Sequence, residues 1–594
     1  MSELGTASTT SANGGSSANE QHQNDAPVII SGAGPVGIML AMNLADLGVP
    51  TIVIETRSYA EPPNVKCNHV AARTMEVFRR LGVVDKVRNA GLPADYPNDI
   101  AFRTSAMGQE LARVPIPCRQ DRYTSMDGPD TGWPTPEPPH RINQLFLEPI
   151  LLQHMAAQPG VRLLNRTQLT GLRQVADDNG AVTAVEATVT DRDTGEVASL
   201  RGRYLVGCDG GGSFVRKQIG ARMEGDPVIQ RVQSTHIRAP QIPSLLPGKR
   251  AWAYYSMNPR RCGTMFSIDG EQTWLVHNHL KADEDYDTVD RDWAIRNIIG
   301  APPGFEYEVI NKEDWIGRRL LASHFRDRNV FIAGDAAHLW VPSAGYGMNA
   351  GIADAINLSW LLAARVNGWA EEGILDAYEA ERYPITGQVS RFAMEHTQKL
   401  IKSRRAIPEG IEAAGPEGER IRAEVGAEAY ALNVRQFCCA GLNFGYFYDD
   451  SPILVPDGEK APDYSMGDFV PSTVPGCRAP HFWLADGRSL YDAFGPGYTL
   501  LRFDRTRDVS ALQAAAGKHG VPLELIDVDV NTVDVPAAYR HALLLCRADQ
   551  HVAWRGDEVP SRPDALIDKL RGAVTTRSNA TREVEQAQTQ TTTA

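Results

Sequence analysis

The chain has 594 residues, a formal net charge of -13 and a hydrophobic content of 42%. A chain of this length has more residues than one hydrophobic core typically organises, so the sequence predicts two or three domains. The acidic balance argues against a nucleic-acid partner or an anionic membrane surface, because both call for a basic patch. No apolar run reaches the roughly 18 residues that a membrane-spanning helix needs.

Polar segments lie at both ends. Residues 1–26 are rich in Ser, Thr, Asn, Gln and Gly and contain no Lys or Arg, and residues 575–594 are similarly polar. Both compositions are typical of disordered tails, and the first suits neither a signal peptide nor a transit peptide. The eight cysteines show neither zinc spacing nor a disulfide framework, which predicts reduced thiols, no metal site and a cytoplasmic protein.

A glycine-rich turn follows the first apolar segment. Residues 27–31 are predicted to form a strand, residues 32–37 read Gly-Ala-Gly-Pro-Val-Gly, residues 38–47 have a helical pattern, and a second strand ends at Glu55. The first glycine permits a tight turn, the second lets a pyrophosphate approach, and the third allows helix and strand to pack closely. Because Glu55 can accept hydrogen bonds from ribose hydroxyls, the whole unit predicts a dinucleotide site.

The most informative stretch is residues 330–358, which read as a buried strand, a glycine-containing loop and the start of a helix. Asp335, after Gly334, is placed at the carboxyl end of the strand, where a carboxylate can accept hydrogen bonds from a polyol. Gly345 and Gly347 let the backbone approach a flat ligand. The helix that then starts offers free N–H groups, which favour the negative charge of a reduced flavin.

A third glycine-rich turn lies between these two. Asp209 begins the run Asp-Gly-Gly-Gly-Ser, and Arg216 follows in a predicted helix. We expect the Asp209 carboxylate to accept hydrogen bonds from backbone N–H groups of the first turn, and Arg216 to neutralise a phosphate of the dinucleotide. Taken alone, the run is also typical of an ordinary turn capped by Ser213.

Together, the three turns resemble the motifs of the class A FAD-dependent monooxygenases, the aromatic hydroxylases that include phenol and hydroxybenzoate hydroxylases. The resemblance covers residues 27–400. The order of strands and helices extends it to residue 574, where it is similar to the thioredoxin-like C-terminal domain of phenol hydroxylases. Since no Cys-x-x-Cys occurs, we expect packing or dimerisation there rather than redox chemistry.

The resemblance implies an α/β fold in which a Rossmann-type FAD-binding domain is interleaved with an antiparallel β-sheet substrate domain, followed by a thioredoxin-like α/β domain. The predicted FAD-binding domain comprises residues 27–98, 138–222 and 318–402, and the substrate domain residues 99–137 and 223–317. A helical linker is predicted at residues 403–454 and the thioredoxin-like domain at residues 455–574.

The resemblance also implies site residues. Arg57 and Lys66 are candidates for a basic cofactor contact, and Arg141 and Gln144 match an Arg-x-x-Gln helix whose amide reaches the ribityl chain. The residues predicted to bind the cofactor are Gly32, Gly34, Pro35, Val36, Gly37, Glu55, Thr56, Arg57, Lys66, Arg141, Gln144, Asp209, Arg216, Gly334, Asp335, Pro342, Gly345, Gly347, Met348 and Asn349.

The candidates at the reacting end are His69, Asn68, Pro342 and Tyr254. Asn68 cannot accept a proton strongly, so either His69 handles the substrate phenol or that role is absent. The Pro342 carbonyl is implied to lie near the substrate hydroxyl. The substrate sheet offers pocket-wall residues that could equally be simple core: Trp252, Tyr254, Trp274, His236 and His277.

The implied activity is hydroxylation of a phenolic or related aromatic substrate with NAD(P)H and O2, through a flavin C4a-hydroperoxide. No second dinucleotide fingerprint occurs, so NADH or NADPH is expected to dock transiently in a surface groove. The oligomeric state, including a homodimer, stays open. Alternatives are a flavin epoxidase or reductase of the same fold acting on a non-aromatic substrate, or an FAD-binding sensor without turnover.

Overall fold

The structure is a computed structural model that describes residues 25–65, 69–342 and 345–574. The predictions for residues 1–24, Lys66, Asn68 and residues 575–594 lie outside these ranges. The predicted N-terminal tail is two residues too long, because Asp25 forms a bridge with Arg201 and Ala26 is buried. No helix within the described ranges is long and apolar enough to cross a membrane.

Helices and strands are numbered separately in chain order. The first elements are β1 (Val28–Ser31), α1 (Pro35–Asp46), β2 (Thr51–Ile54), α2 (Ala72–Arg80), α3 (Val84–Arg88), β3 (Ile100–Arg103), β4 (Glu110–Val114), α4 (Gln144–Ala156), β5 (Val161–Leu164), β6 (Thr167–Ala176), β7 (Val182–Asp191), β8 (Val197–Gly202), β9 (Tyr204–Gly207) and α5 (Phe214–Gln218).

The middle of the chain forms β10 (Met223–Arg238), α6 (Ile242–Leu245), β11 (Ala253–Ser256), β12 (Gly263–Ser267), β13 (Thr273–His279), α7 (Arg291–Ile299), β14 (Glu308–Lys312), β15 (Trp315–Ala322), β16 (Arg326–Asp327), β17 (Val330–Ile332), β18 (His338–Trp340) and α8 (Gly347–Val366). The last part forms α9 (Asp376–Arg405), α10 (Pro416–Phe437), α11 (Ala440–Phe444), β19 (Tyr498–Arg502), α12 (Ser510–Lys518), β20 (Leu523–Asp527), β21 (Leu543–Arg547), β22 (Val552–Gly556) and α13 (Pro563–Leu570).

The first sheet, here called the nucleotide sheet, has the strand order β16-β17-β9-β1-β2-β5. Its strands are parallel except for β16. Strands β1, β2, β9 and β17 are buried along their whole length, as expected for short apolar strands of a parallel sheet covered on both faces. Parallel pairing brings their carboxyl ends to one edge, so the three glycine-rich turns leave the sheet side by side.

The second sheet, here called the roof sheet, has the order β18-β15-β10-β13-β12-β11-β3-β4, with β14 also paired to β10. Its pairs are antiparallel except for β11 with β3. One face packs under α7, and the opposite face packs against residues of α4 and α10. Because side chains alternate between the two faces of a strand, the pairing of the roof-sheet strands determines which side chains lie on the face that contacts α4 and α10.

Two smaller sheets complete the fold. Strands β6, β7 and β8 form a separate three-stranded antiparallel sheet. The strands on either side of it in the chain, β5 and β9, belong to the nucleotide sheet. Strand β4 is an edge strand of the roof sheet.

The C-terminal sheet has the order β20-β19-β21-β22 and is joined to the rest of the protein by buried ion pairs. Arg547 on β21 donates two hydrogen bonds, of 2.5 and 2.8 Å, to Glu381 on α9. Arg478 forms a second pair with Glu76 of α2 at 2.5 Å. Because all four side chains are almost fully buried, these pairs fix the sheet against α2 and α9.

Candidate active site

The first glycine-rich turn has the geometry of a pyrophosphate cradle. Gly32 has φ +104, and a Cβ atom there would lie 2.4 Å from the carbonyl oxygen of Cys208. A Cβ atom on Gly37 would lie 1.9 Å from the Gly32 carbonyl oxygen, whereas one on Gly34 would meet nothing within 4 Å. Gly34 thus faces open space. Helix α1 begins at Pro35 without a side-chain cap, so its first N–H groups can bind an anion.

Glu55 lies beside this turn at the end of β2. Its carboxylate accepts a 2.9 Å hydrogen bond from the backbone N–H of Ala33 and contacts Arg57 at 3.2 Å. Burial alone would raise the pKa of Glu55, but the hydrogen bonds from Arg57 and Ala33 outweigh it and hold the pKa below its usual value. Glu55 is therefore ionised and can accept hydrogen bonds from ribose hydroxyls.

Arg57 also reaches α4. It pairs with Glu148 at 2.7 Å. The side-chain amide of Gln144, predicted to contact the ribityl chain, donates to Glu148 at 2.6 Å. The helix starts at Gln144 with Asn143 as its cap, so Arg141 precedes the helix rather than opening it.

The second turn departs from the prediction. Asp209 does not accept from the first turn; its carboxylate accepts from the backbone N–H groups of Phe214 (2.7 Å) and Val215 (3.1 Å) at the start of α5. The free N–H groups nearest to Asp209 are those at the start of α5, in its own turn, and this explains why Asp209 binds them rather than the first turn. The contact with the first turn is instead made by the Cys208 backbone against Gly32.

Arg216 connects the second and third turns. Its guanidinium donates to the carbonyl oxygens of Ala336 (3.0 Å) and Gly211 (2.9 Å). These bonds hold the backbone of the third turn in place, and neutralisation of phosphate by Arg216 stays a prediction.

The third turn rests on a buried carboxylate. Residues Gly334–Ala336 form a single 3-10 turn in which the Asp335 side chain is exposed. The fully buried Asp354 of α8 accepts from the Gly334 N–H (3.1 Å), from the His338 imidazole (2.6 Å) and from Arg382 (2.8 Å). Burial would raise the pKa of Asp354, but His338 and Arg382 hold it below its usual value. Asp354 thus fixes the turn that presents Asp335.

The first and third turns touch each other. Gly334 has φ +61, and a Cβ atom there would lie 2.8 Å from Cγ2 of Val36. A Cβ atom on Gly351 of α8 would lie 2.7 Å from the same methyl group. Two glycines therefore make room for the start of α1, and the sequence-distant turns converge on one location.

Asn349 connects the loop before α2 to the start of α8. Its side-chain oxygen accepts from the Ala71 N–H (2.8 Å) and the Thr74 hydroxyl (2.9 Å). Its amide donates to the carbonyls of His69 (3.1 Å) and Gly345 (2.9 Å). The sequence predicted only a backbone N–H role for Asn349, so this bracing by the side chain is an additional function.

The end of the loop before α8 lies beside His69. The Pro342 carbonyl accepts a 3.1 Å hydrogen bond from the Gly345 N–H, while Ser343 and Ala344 lie outside the described residues. Gly345 has φ +61, and a Cβ atom there would lie 3.1 Å from Cβ of His69. Helix α8 starts at Gly347 without a side-chain cap, so the N–H groups of its first turn face the same space as His69.

His69 is buried beside two cationic groups. Its Nδ1 atom is buried with no hydrogen-bond partner among the described residues. Burial, and then the charges of Arg141 and Arg122, hold the pKa of His69 well below its usual value. The imidazole is therefore neutral. The Arg141 guanidinium lies 4.7 Å from the centre of the Trp252 ring.

The roof sheet places only some of the predicted wall residues on the side of the nucleotide sheet. Tyr254 and Trp274 lie on the opposite face, under α7, with ring centroids 6.5 Å apart. The Tyr254 hydroxyl accepts a 2.8 Å hydrogen bond from the Ala251 N–H. The placement of Tyr254 at the reacting end is therefore wrong, because strand alternation turns it away from the site. Trp252 packs with Phe266 on the face of the roof sheet that contacts α4 and α10, here called the inner face.

His236 and His277 share the inner face. His236 pairs in register with Leu275, and His277 lies two residues further along β13, so both point to the same side as Leu275. Nε2 of His236 is buried and without a partner among the described residues. His277 packs edge-on against Phe266 at 5.5 Å.

Sequence reasoning missed the bracing role of Asp354 and Arg382. A signal was present, because a carboxylate inside the apolar helix of residues 350–358 needs a buried partner. The partner could not be identified from the sequence, since Arg382 is 28 residues away on α9.

Comparison with known proteins agrees with this geometry. The FAD binding domain family matches residues 25–393, and the aromatic-ring hydroxylase C-terminal family matches residues 472–576. The chain therefore belongs to the FAD-dependent monooxygenases of the aromatic-ring hydroxylase type, and its cofactor is FAD.

Individual relatives cover nearly the whole chain. The chain is 28% identical to the FAD-dependent monooxygenase apdD of Emericella nidulans, over 91% of this chain and 89% of the relative. It is 29% identical to phenol 2-monooxygenase of a Pseudomonas species, over 93% of this chain and 94% of the relative. Among solved structures, RebC with bound 7-carboxy-K252c superposes with a TM-score of 0.82 at 34% identity, covering 93% of this chain and 99% of RebC.

Proposed function

We propose that this protein hydroxylates a phenolic or related aromatic ring, with NAD(P)H as reductant and O2 as oxidant. The observation that supports this most is the convergence of the first and third turns, where Gly334 and Gly351 both lie against Val36. Residues of these two turns would hold a flat cofactor, and the uncapped start of α8 would offer it N–H donors. Phenol 2-monooxygenase is a relative of nearly equal length.

The residues at the three turns fit FAD. The open space at Gly34 and the uncapped start of α1 suit the pyrophosphate. The ionised Glu55 suits the adenosine ribose, and the exposed Asp335 suits the ribityl hydroxyls. The N–H groups that open α8 would favour negative charge on the reduced ring. The bound cofactor supplies the hydride acceptance and oxygen activation, and the protein supplies position and electrostatics.

The substrate is proposed to lie between this cofactor and the roof sheet. The Pro342 carbonyl has a second lone pair that can accept a hydrogen bond from a phenol hydroxyl. His69, held neutral by burial, can accept or donate one hydrogen bond through Nδ1. Trp252 and Phe266 give the inner face the apolar surface that an aromatic ring prefers.

The domain organisation is proposed as predicted from the sequence, with two changes: Asp25 and Ala26 belong to the folded part, and β15 and β18 of the predicted FAD-binding segment pair within the roof sheet. The C-terminal sheet has one parallel pair, β19 with β20, followed by antiparallel strands and the helix α13, an arrangement that supports a thioredoxin-like domain. Cys477 and Cys546 are free and buried, which supports a packing role without redox chemistry. Its ion pairs to α2 and α9 support the same role. We further propose a cytoplasmic location and leave the assembly state open.

Steady-state kinetics test the proposal. Purified holoprotein should oxidise NADH or NADPH slowly alone, and the rate should rise at least tenfold with the correct phenol, with matching oxygen uptake and a hydroxylated product. Asp335→Ala should release FAD while the protein stays folded. A protein that retains FAD but shows no acceleration by any phenol or hydroxybenzoate, and no oxygen uptake, would refute the proposal and favour a sensor.

A further inference from the structure

A groove with a volume of about 370 Å³ lies at one edge of the roof sheet, where β15 extends past β18. This volume falls within the range of about 300–1,000 Å³ that is typical of small-molecule sites. The side chains that line the groove include Tyr286, Asp314, Trp315, Arg318, Leu339 and Trp340. None of them has a role in the proposed binding of FAD or of the aromatic substrate, so the groove can hold another ligand.

The groove borders two of the elements that are proposed to hold FAD. A Cβ atom on Gly347, the first residue of α8, would lie 4.0 Å from Nε1 of Trp340. A Cβ atom on Gly211 of the second turn would lie 3.2 Å from Cδ1 of Leu339. The wall that β18 contributes to the groove therefore lies between the second turn and the start of α8, so a ligand in the groove is a neighbour of the proposed cofactor site.

Two partly exposed indole rings give the groove flat walls. Trp340 stacks on His338, with ring centroids 4.6 Å apart and planes 10° apart. The Tyr286 hydroxyl donates a 2.8 Å hydrogen bond to the carbonyl oxygen of Trp315, which fixes the phenol ring beside that indole. Aromatic walls of this kind suit a planar ring, because they offer a large contact area and stacking.

The strand edge beside these walls offers hydrogen-bonding groups. Strand β18 pairs with β15 through residues 319–321, whereas residues 315–317 of β15 pair with β10. The other edge of residues 315–317 has no partner strand in the part of the chain that the structure describes. Such an edge presents backbone N–H and C=O groups, which can bind the donor and the acceptor of a carboxamide.

The charge that remains in the groove is positive. Asp314 forms a 2.6 Å ion pair with Arg291, and its other carboxylate oxygen accepts a 3.1 Å hydrogen bond from the Ser234 N–H. Arg318 is partly exposed in the groove. Its guanidinium can therefore bind a phosphate through charge-assisted hydrogen bonds.

We propose that this groove binds the nicotinamide mononucleotide half of NADH or NADPH. The nicotinamide ring lies against Trp315 and Trp340, its carboxamide bonds the free edge of β15, and its phosphate is held by Arg318. A planar ring, an amide and a phosphate on one ligand match the three features of the groove, whereas an uncharged phenol would match only the aromatic walls. This inference rests on the proposed function and narrows it, because it places the reductant beside the start of α8.

Anaerobic reduction of the holoprotein tests this groove. Rapid mixing with NADH or NADPH, followed by loss of flavin absorbance, gives a dissociation constant and a limiting rate. Arg318→Gln should raise the dissociation constant about tenfold while the limiting rate stays within twofold. Arg318→Lys should raise it less and Arg318→Glu more. Trp315→Leu should raise it about tenfold, and Trp315→Phe should retain part of the affinity.

Two further measurements identify what the groove binds. Reduced nicotinamide mononucleotide, which lacks the adenosine half, should lose reactivity with Arg318→Gln by the same factor as NADH and NADPH. Titration with NAD⁺ or NADP⁺, followed by quenching of tryptophan emission, should give the same ratio between parent and variant without turnover. The dissociation constant of the phenol should stay within twofold in every variant.

Arg238→Gln and Trp293→Leu are the matched controls, since both side chains belong to the roof-sheet region but are 53% and 44% exposed outside the groove. Both should keep the parent constants within twofold. Unchanged constants in Arg318→Gln and Trp315→Leu, an equal loss in the controls, or a loss that spares the mononucleotide would overturn the inference. A parent protein that NADH and NADPH do not reduce refutes the proposed function and the groove with it, whereas reduction that the groove variants leave unchanged refutes the groove alone.

Discussion

The buried carboxylate of Asp354 offers a sharp test of how the FAD site is held. Asp354→Asn keeps the shape of the side chain and removes its charge, so Arg382 loses its buried counter-ion and the Gly334 N–H loses a charged acceptor. A hydrogen bond to a charged group contributes about 1.5–3 kcal/mol. If all the free energy of the hydrogen bond from the Gly334 N–H is lost from FAD binding, the FAD dissociation constant rises about 10- to 100-fold, at 1.4 kcal/mol per factor of ten.

The assay is titration of FAD-free protein with FAD, followed by quenching of flavin fluorescence. Breaking one partner of a buried ion pair also costs about 3–5 kcal/mol of folding stability, so circular dichroism must first show that the variant is folded at the assay temperature. Asp46→Asn is the control, because Asp46 is paired with Arg80 but 43% exposed, and it should bind FAD normally. A folded Asp354→Asn protein with an FAD affinity within twofold of the parent would refute the reasoning.

Three further predictions follow from the same geometry. Gly34→Ala should fold normally but fail to retain FAD, because its Cβ atom would meet no protein atom within 4 Å. Gly37→Ala should also lower the melting temperature, because its Cβ atom would lie 1.9 Å from the Gly32 carbonyl oxygen. Equal melting temperatures for the two variants would contradict this. Arg547→Met should lower the free energy of unfolding by about 3–5 kcal/mol, since it leaves Glu381 buried without its main partner, measured in denaturant; a loss below 1 kcal/mol would refute it. The pKa of Glu55 is lowered in the folded protein, so the stability that its ionised carboxylate contributes is present at neutral pH and is lost as pH falls through the folded pKa. The FAD retained in gel filtration should therefore stay constant between about pH 6 and 8 and decline only below the usual range of glutamate pKa values. Release beginning near neutral pH would contradict it.

Local features were predictable from the sequence, and long-range partners were not. The turn at residues 32–37 and the acid Glu55 were recognised because their functions depend on spacing within one βαβ unit. Asp209 and Arg216 were recognised as a motif, but their partners depend on which turn lies nearest in space. Tyr254 was misplaced because alternation along β11 gives two faces without indicating which one is the inner face.

The same limit explains the residues that were missed. The pairing of Asp354 with Arg382 joins two helices, and the Arg547 pair joins α9 to a strand 166 residues further on. The histidines of the roof sheet were noticed as possible wall residues. Their neutral state could not be foreseen, because it depends on burial and on Arg404.

The strand order of the nucleotide sheet has a consequence for biosynthesis. Neighbouring strands β1, β9 and β17 come from chain positions 28, 204 and 330, so a ribosome must release more than half of the polypeptide before the central pairing can close. Such non-local topology is associated with slow folding. The first 60 residues, although they contain the complete dinucleotide fingerprint, should therefore not fold as a portable cassette when they are grafted onto another protein.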